Sequence, residues 1–117
     1  MGKITTHVLD LANGAPAAQL LVELHECTAD ARRAIASART NASGRIAEPL
    51  LEGSALHKAR YALTFHVADY YRLRGVTLPD PPFIDRVVIE FGVADAHENY
   101  HVPLLISPWS YSTYRGS

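Results

Sequence analysis

The 117-residue chain is 48% hydrophobic and 20% charged, with a formal net charge of -1. These proportions are ordinary for a soluble globular protein and argue against a disordered or fibrous chain. The absence of a basic block argues against nucleic acid and acidic membranes as partners. The length predicts a single domain over residues 1–117.

Cysteine usage and the N-terminal residues predict a cytoplasmic location. The single cysteine, Cys27, excludes an intrachain disulfide framework and is typical of a reducing compartment. Residues 1–7 contain no apolar core of a signal peptide, and no run of about 18 apolar residues follows.

The first part of the chain alternates with period two, which indicates strands. Residues 4–9 predict a first strand and residues 20–25 a second, separated by turn signals over 10–16. Residues 31–39 predict a weaker third strand, for which the alanine content makes a helix a fair competitor. A turn over 40–44 ends it.

The middle of the chain predicts one strand followed by one short helix. The strand covers residues 61–67, and the helix runs from Ala68 to Gly75 with Asp69 near its start. The proline cluster over 78–82 requires an irregular loop, because prolines remove backbone donors and fix φ.

The last part predicts three more strands, over 84–91, 100–106 and 109–115. Seven or eight short strands with turns between them favour an all-β sandwich. The chain stays β-prone and aromatic almost to its end, which predicts an ordered, functional terminal segment. We expect the Ser117 carboxylate to lie beside the Arg115 guanidinium.

His97-Glu98-Asn99-Tyr100-His101 matches a metalloprotease motif, H-E-x-x-H. The motif binds zinc only on a helix, where both histidines share one face. Here residues 100–106 alternate as a strand, in which residues four apart are about 13 Å from each other. We therefore expect no metal at this motif.

A few polar residues in otherwise apolar or turn positions are the candidates for chemistry. The alternation places His7 and His101 opposite the core-like residues of their strands, so both are expected to point out of the sandwich. Arg45 follows the turn at Gly44. The other strand histidines, His25 and His66, are interpreted as structural. No phosphate-binding, dinucleotide or nucleophile-elbow motif is present, so no cofactor is expected.

At these residues the chain resembles the transthyretin-related family, and within it the hydrolases that act on 5-hydroxyisourate. The resemblance spans the whole chain in order, and its first-strand and terminal motifs are highly specific. The matching segments are Thr5–Asp10, Gly14-x-Pro16-Ala17, Thr40-x-x-x-Gly44-Arg45, Phe65-x-x-x-Asp69-Tyr70-Tyr71, Tyr100–Leu105 and Tyr114–Ser117.

The resemblance implies a transthyretin-like sandwich of two four-stranded sheets with one short helix. It also implies a homotetramer, a dimer of dimers, with sites at the dimer–dimer interface. His7, Arg45 and His101 match the family's catalytic residues. The substrate pocket of the family corresponds to His7 and Arg45 together with the terminal Tyr114, Arg115, Gly116 and Ser117.

The implied reaction is hydrolysis of the ring amide of 5-hydroxyisourate, a product of urate oxidation, within purine degradation. One histidine, His7 or His101, would act as general base on water, and Arg45 would stabilise the oxyanion. Asn99 departs from a histidine found in many members, and an amide replaces its hydrogen bond but not its proton transfer.

Two other functions are possible for this fold. A carrier of transthyretin type would bind a hydrophobic ligand in the same channel, and a scaffold would bind only partners. Three polar residues capable of proton transfer and charge stabilisation favour the hydrolase over both.

Overall fold

A computed structural model describes residues 2–117, which form nine strands, one α-helix and one 3-10 turn. The strands are β1 (Lys3–Asp10), β2 (Ala15–Pro16), β3 (Leu21–Cys27), β4 (Arg32–Arg39), β5 (Leu51–Glu52), β6 (Ala59–Phe65), β7 (Val87–Val93), β8 (Tyr100–Ile106) and β9 (Tyr111–Thr113). The helix is α1 (Val67–Leu73), and the 3-10 turn covers Gly53–Ala55.

The first sheet has the strand order β2-β1-β8-β9, and the two-residue β5 also pairs with β1. At its centre β1 and β8 run parallel, with Thr5 opposite His101 and His7 opposite Pro103. This parallel pairing brings the first and the penultimate strands of the chain side by side.

The second sheet is antiparallel throughout, in the order β4-β3-β6-β7. Residues 32–39 are therefore a strand, and the competing helix is not formed. The pairing of β4 with β3 decides this, because its backbone groups bond across the hairpin with one irregularity near Leu24. The prediction of an all-β sandwich is confirmed, with two four-strand paths and the small extra strand β5.

One apolar core lies between the two sheets. The alternation in β1 is strict, since Ile4, Thr6, Val8 and Asp10 are buried and the residues between them are not. Residues 61–65 of β6 are buried on both faces. The fully buried large side chains include Tyr61, Tyr71, Phe65, Leu24, Leu63, Leu104 and Ile106.

Several predicted boundaries shift by a few residues. Val67 begins the helix rather than ending the strand before it. Strand β7 starts at Val87, three residues after the predicted Ile84. The final strand is shorter than predicted, since only Tyr111–Thr113 pair with β8. Within residues 2–117 no helix is long and apolar enough to cross a membrane.

Candidate active site

His7 and His101 lie on adjacent parallel strands and on the same face of the first sheet. Both are half-buried, whereas their neighbours along each strand, Thr6, Val8, Tyr100 and Val102, are buried. The side chains therefore point away from the core, as the period-two alternation predicted. The register offsets the two histidines by one pleat, so they are diagonal neighbours.

Arg45 is brought to this face by a turn that docks on β1. The Val8 amide donates to the Gly44 carbonyl (2.8 Å), and Arg45 forms an isolated bridge with His7. Inside the turn, the Asn41 carboxamide oxygen accepts from the backbone amides of Ser43 (3.0 Å) and Arg45 (3.1 Å). The turn therefore has an internal brace and a backbone link to the strand that carries His7.

Gly44 is the residue that lets the turn approach so closely. Its φ is +76°, and a Cβ there would lie 2.4 Å from the Val8 carbonyl oxygen. Any side chain would both strain the backbone and push the turn away from β1.

Each histidine has one ring nitrogen engaged by the protein. His7 Nε2 lies 2.9 Å from the Ser43 carbonyl oxygen, which only accepts, so Nε2 carries the proton and Nδ1 remains. His101 Nδ1 lies 2.9 Å from the Thr5 hydroxyl, which leaves Nε2. The ring of His101 is thus oriented by a residue on the neighbouring strand.

The electrostatic environment of His101 favours the neutral form of its imidazole. Burial lowers the pKa of the His101 imidazole, and the nearby charges of Arg45 and His7 lower it further. Two of the three predicted catalytic residues thus act on the third, which places all three within electrostatic reach of one another.

The terminal segment packs against His101. The Gly116 amide donates to the His101 carbonyl (2.8 Å), and a Cβ at Gly116 would lie 2.6 Å from His101 Cδ2. Only glycine fits against the ring at this distance. Tyr114, two residues before Gly116, and Ser117, the residue after it, are exposed.

Arg115 does not pair with the Ser117 carboxylate, so that expectation is wrong. Its guanidinium lies 4.4 Å from the Tyr100 ring centroid and donates to the Asn99 carbonyl (3.1 Å) and to Glu98 (3.4 Å). Successive residues of an extended segment point to opposite sides, and Gly116 faces His101. The Arg115 side chain therefore points away from His101, toward Tyr100 and the residues that precede β8.

The H-E-x-x-H match spans a turn and a strand rather than a helix. His97 lies in the turn before β8, whereas His101 lies within the strand. In the described part of the chain, no three His, Cys, Asp or Glu residues are grouped to hold a metal.

Three contributors to the site were not identified from the sequence: Thr5, Asn41 and the Ser43 carbonyl. Thr5 shares the outward face with His7 by the same alternation, which was a usable signal. Its contact with His101 depends on the register of β1 against β8, residues 96 positions apart. That register is a property of the folded sheet.

The chain belongs to the HIUase/Transthyretin family, whose model matches residues 4–116. It is 57% identical over 117 residues to a protein of Ralstonia nicotianae named 5-hydroxyisourate hydrolase, with both chains covered completely.

Solved structures show the same fold. The structure of Klebsiella pneumoniae 5-hydroxyisourate hydrolase is similar with a TM-score of 0.83 and 32% identity, each chain being fully covered. The structure of (S)-allantoin synthase is similar with a TM-score of 0.93 and 38% identity. The match covers 99% of this chain and 44% of that one.

Proposed function

We propose that the protein hydrolyses the ring amide of 5-hydroxyisourate to 2-oxo-4-hydroxy-4-carboxy-5-ureidoimidazoline, without a cofactor. The observation that carries the proposal is the placement of His101 on one face with Arg45 and His7, where burial and these two neighbours lower the pKa of its imidazole. The full-length similarity to a protein named for this activity supports the same reaction.

In the proposed mechanism His101 is the general base. Its pKa is lowered, so the imidazole is unprotonated at neutral pH and able to accept a proton. In the tautomer whose Nδ1–H donates to the Thr5 hydroxyl oxygen, Nε2 is the free acceptor and takes the proton from a water molecule. The water oxygen bonds to the ring carbonyl carbon, and the electron pair of the carbonyl moves to its oxygen.

Collapse of the tetrahedral intermediate breaks the carbon–nitrogen bond of the ring. The leaving nitrogen takes the proton back from His101, and the former carbonyl carbon becomes the carboxylate of the product. The backbone of Arg45 is bridged to His7, and its guanidinium supplies positive charge to the developing oxyanion. The activated cyclic amide needs no covalent nucleophile, which agrees with a site built of imidazole and guanidinium groups.

Substrate orientation is assigned to His7 and the terminal segment. His7 presents Nδ1 to the substrate, because its Nε2 is engaged by the Ser43 carbonyl oxygen. Tyr114 and Ser117 lie on either side of the Arg115-Gly116 pair, and their hydroxyl groups are exposed for hydrogen bonding to the substrate ring. Arg115 holds this terminal segment in place through its hydrogen bonds to the Asn99 carbonyl and the Glu98 carboxylate.

Carriage of a hydrophobic ligand is the alternative for this fold, and the site favours hydrolysis. An apolar ligand would cover His7, Arg45 and His101 without offering them hydrogen bonds, and burying such polar groups unpaired costs free energy. They match a small ring rich in hydrogen-bonding groups instead.

We propose that a second copy of the chain completes the pocket, within a tetramer built as a dimer of dimers. Arg45 and the terminal residues are exposed, so one copy provides an open face rather than a cleft. The aromatic side chain of Tyr114, two residues before Gly116, is also uncovered, at 61% exposure. Such a surface is typical of an interface.

The proposed unit of function is the single domain of residues 1–117, and the proposed location is the cytoplasm. The one cysteine, Cys27, is a free thiol on the second sheet, which is compatible with a reducing compartment.

The activity is tested by generating 5-hydroxyisourate in place with uricase and following its ultraviolet decay. Added protein is expected to accelerate the decay over the spontaneous rate, and a failure to do so contradicts the proposal. His101→Asn and Arg45→Ala are each expected to lose most of the acceleration. Analytical ultracentrifugation of both variants serves as the control, since each should remain a folded tetramer.

A further inference from the structure

A second concave region lies away from the histidines, where α1 meets the end of β4 and the turn before β3. It consists of two adjoining cavities of about 320 Å³ and 480 Å³. Both are lined by Gln19, Arg39, Tyr70 and Leu73. None of these residues belongs to the proposed active site.

The larger cavity is lined by two guanidinium groups and by no carboxylate. The two groups belong to Arg39 and Arg74, and neither forms a salt bridge within residues 2–117. The smaller cavity adds Arg72, which is paired with Asp69 at 3.4 Å. The region therefore carries an excess of positive charge in a protein whose formal net charge is -1.

Both unpaired arginines are held in place by the fold. Arg39 Nη1 donates to the Gln19 carbonyl (3.1 Å), which leaves its remaining N–H groups available. Gln19 adopts a left-handed φ of 64°, a conformation uncommon for a residue with a side chain.

Arg74 is positioned differently, by stacking on an aromatic ring. Its guanidinium carbon lies 5.5 Å from the Tyr70 ring centroid. Tyr70 is itself fixed, because its hydroxyl donates to the buried carboxylate of Asp10 (2.8 Å). The two guanidinium groups are thus preorganised, which reduces the entropy lost when a ligand binds between them.

We propose that this cavity binds a small organic anion through its carboxylate or phosphate group. Guanidinium groups bind both kinds of oxyanion through charge-assisted, bidentate hydrogen bonds. The exposed Leu73 side chain lines both cavities and provides an apolar surface for the carbon skeleton of the ligand. The inference does not depend on the proposed hydrolase activity, because the two sites share no residue.

The test is a titration of the 15N-labelled protein, followed by NMR, with inorganic phosphate and separately with succinate. Chloride at matched ionic strength is the reference. We expect saturable shifts centred on Gln19, Arg39 and Arg74, with a Kd on the order of 1–10 mM for at least one probe. The two probes distinguish a phosphate ligand from a carboxylate ligand.

Variants of exposed arginines provide the specificity control. Arg39→Gln and Arg74→Gln are each expected to weaken binding about tenfold, because each removes a charge-assisted contact. Arg33→Gln is the matched control, since Arg33 is an exposed arginine of the same strand that pairs with Glu26 (2.9 Å). That variant should bind as the wild type does.

Three results would overturn the proposal. The first is no saturable shift with either probe up to about 50 mM. The second is equal weakening in the Arg33→Gln control. The third is loss of the oligomer in Arg39→Gln and Arg74→Gln, measured by sedimentation, which would assign these arginines to a subunit interface.

Discussion

At the scale of single residues, the chemistry of the site depends on which ring nitrogen of each histidine is hydrogen-bonded by the protein. The Ser43 carbonyl engages Nε2 of His7, whereas the Thr5 hydroxyl engages Nδ1 of His101. The two imidazoles therefore present different atoms to a substrate, and their roles are distinct. The lowered pKa of His101 favours this residue as the base.

The charge of Arg45 is expected to control the pKa of His101. Arg45→Gln removes a nearby positive charge that disfavours the imidazolium, so the pKa of His101 should rise toward 6.5. Arg45→Lys keeps the charge and should leave the pKa close to that of the wild type. NMR titration of the His101 ring measures both, and an unchanged pKa in Arg45→Gln would contradict the electrostatic account.

The Thr5 hydroxyl is expected to position His101 rather than to stabilise the fold. Thr5→Val keeps the shape and the β-propensity but removes the hydrogen bond. Losing the hydrogen bond that orients His101 should raise the activation free energy by about 1 kcal/mol. This corresponds to a roughly five- to tenfold lower kcat, with a smaller change in KM.

Thr5→Ser is the matched control, because it retains the hydroxyl and should recover most of the rate. The 15N shifts of the His101 ring should change in Thr5→Val and not in Thr5→Ser. A decrease in Tm without a change in kcat would assign Thr5 a purely structural role.

At the scale of elements, the site depends on how the turn at residues 41–45 docks on β1. The docking needs a residue without a side chain at position 44, because a Cβ would meet the Val8 carbonyl. It also needs the Asn41 brace, which orders the turn from within.

Gly44→Ala is therefore expected to cost more stability than Gly75→Ala. Both glycines have positive φ, so both variants incur about 1–2 kcal/mol of backbone strain. A Cβ at Gly75 meets nothing within 4 Å, whereas one at Gly44 must displace the turn. Urea denaturation compares them, and equal destabilisation would show that the close approach at Gly44 is unimportant.

Alternation was enough to predict β1, β3, β6, β7 and β8 and the outward direction of the two histidines, whereas the two-residue strands β2 and β5 were not predicted. It failed where tertiary pairing decides the outcome. The alanine-rich residues 32–39 form a strand because β3 offers a partner, which no local propensity records. The Thr5–His101 contact depends on the register between β1 and β8, which are far apart in the sequence. The direction of the Arg115 side chain follows from the packing of the next residue, Gly116, against His101.

At the scale of the whole molecule, one buried carboxylate joins the first sheet to the helix. Asp10 accepts hydrogen bonds from the hydroxyls of Tyr70 (2.8 Å) and Tyr71 (2.7 Å). Burial alone would raise the pKa of Asp10, but hydrogen bonds from Tyr71, Asn13 and Tyr70 outweigh burial and lower it. Burial and the same carboxylate raise the pKa of Tyr70 to about 12.

Asp10→Asn is expected to destabilise the fold by about 1–3 kcal/mol at pH 7, because an amide cannot accept from both tyrosines through two oxygens. The pKa of Asp10 in the folded protein lies below 3.8. Its ionised carboxylate therefore contributes fully to the free energy of unfolding above pH 3.8, and this contribution is lost as the pH falls through the folded pKa. The difference in the free energy of unfolding between Asp10→Asn and the wild type should therefore become smaller as the pH is lowered.

Urea denaturation at pH 7 and at pH 3, at one protein concentration, measures this dependence. Asp30→Asn is the control, since Asp30 is an exposed carboxyl in the turn between β3 and β4. A constant difference between Asp10→Asn and wild type at both pH values would contradict the assigned role.

The most direct test of the account is the pH dependence of the catalysed decay of 5-hydroxyisourate. A neutral His101 acting as base predicts that kcat/KM stays level through neutral pH and falls only below pH 6.5, and that His101→Asn abolishes the catalysed decay. An acid limb at or above 6.5, or a normal profile in His101→Asn, would contradict it.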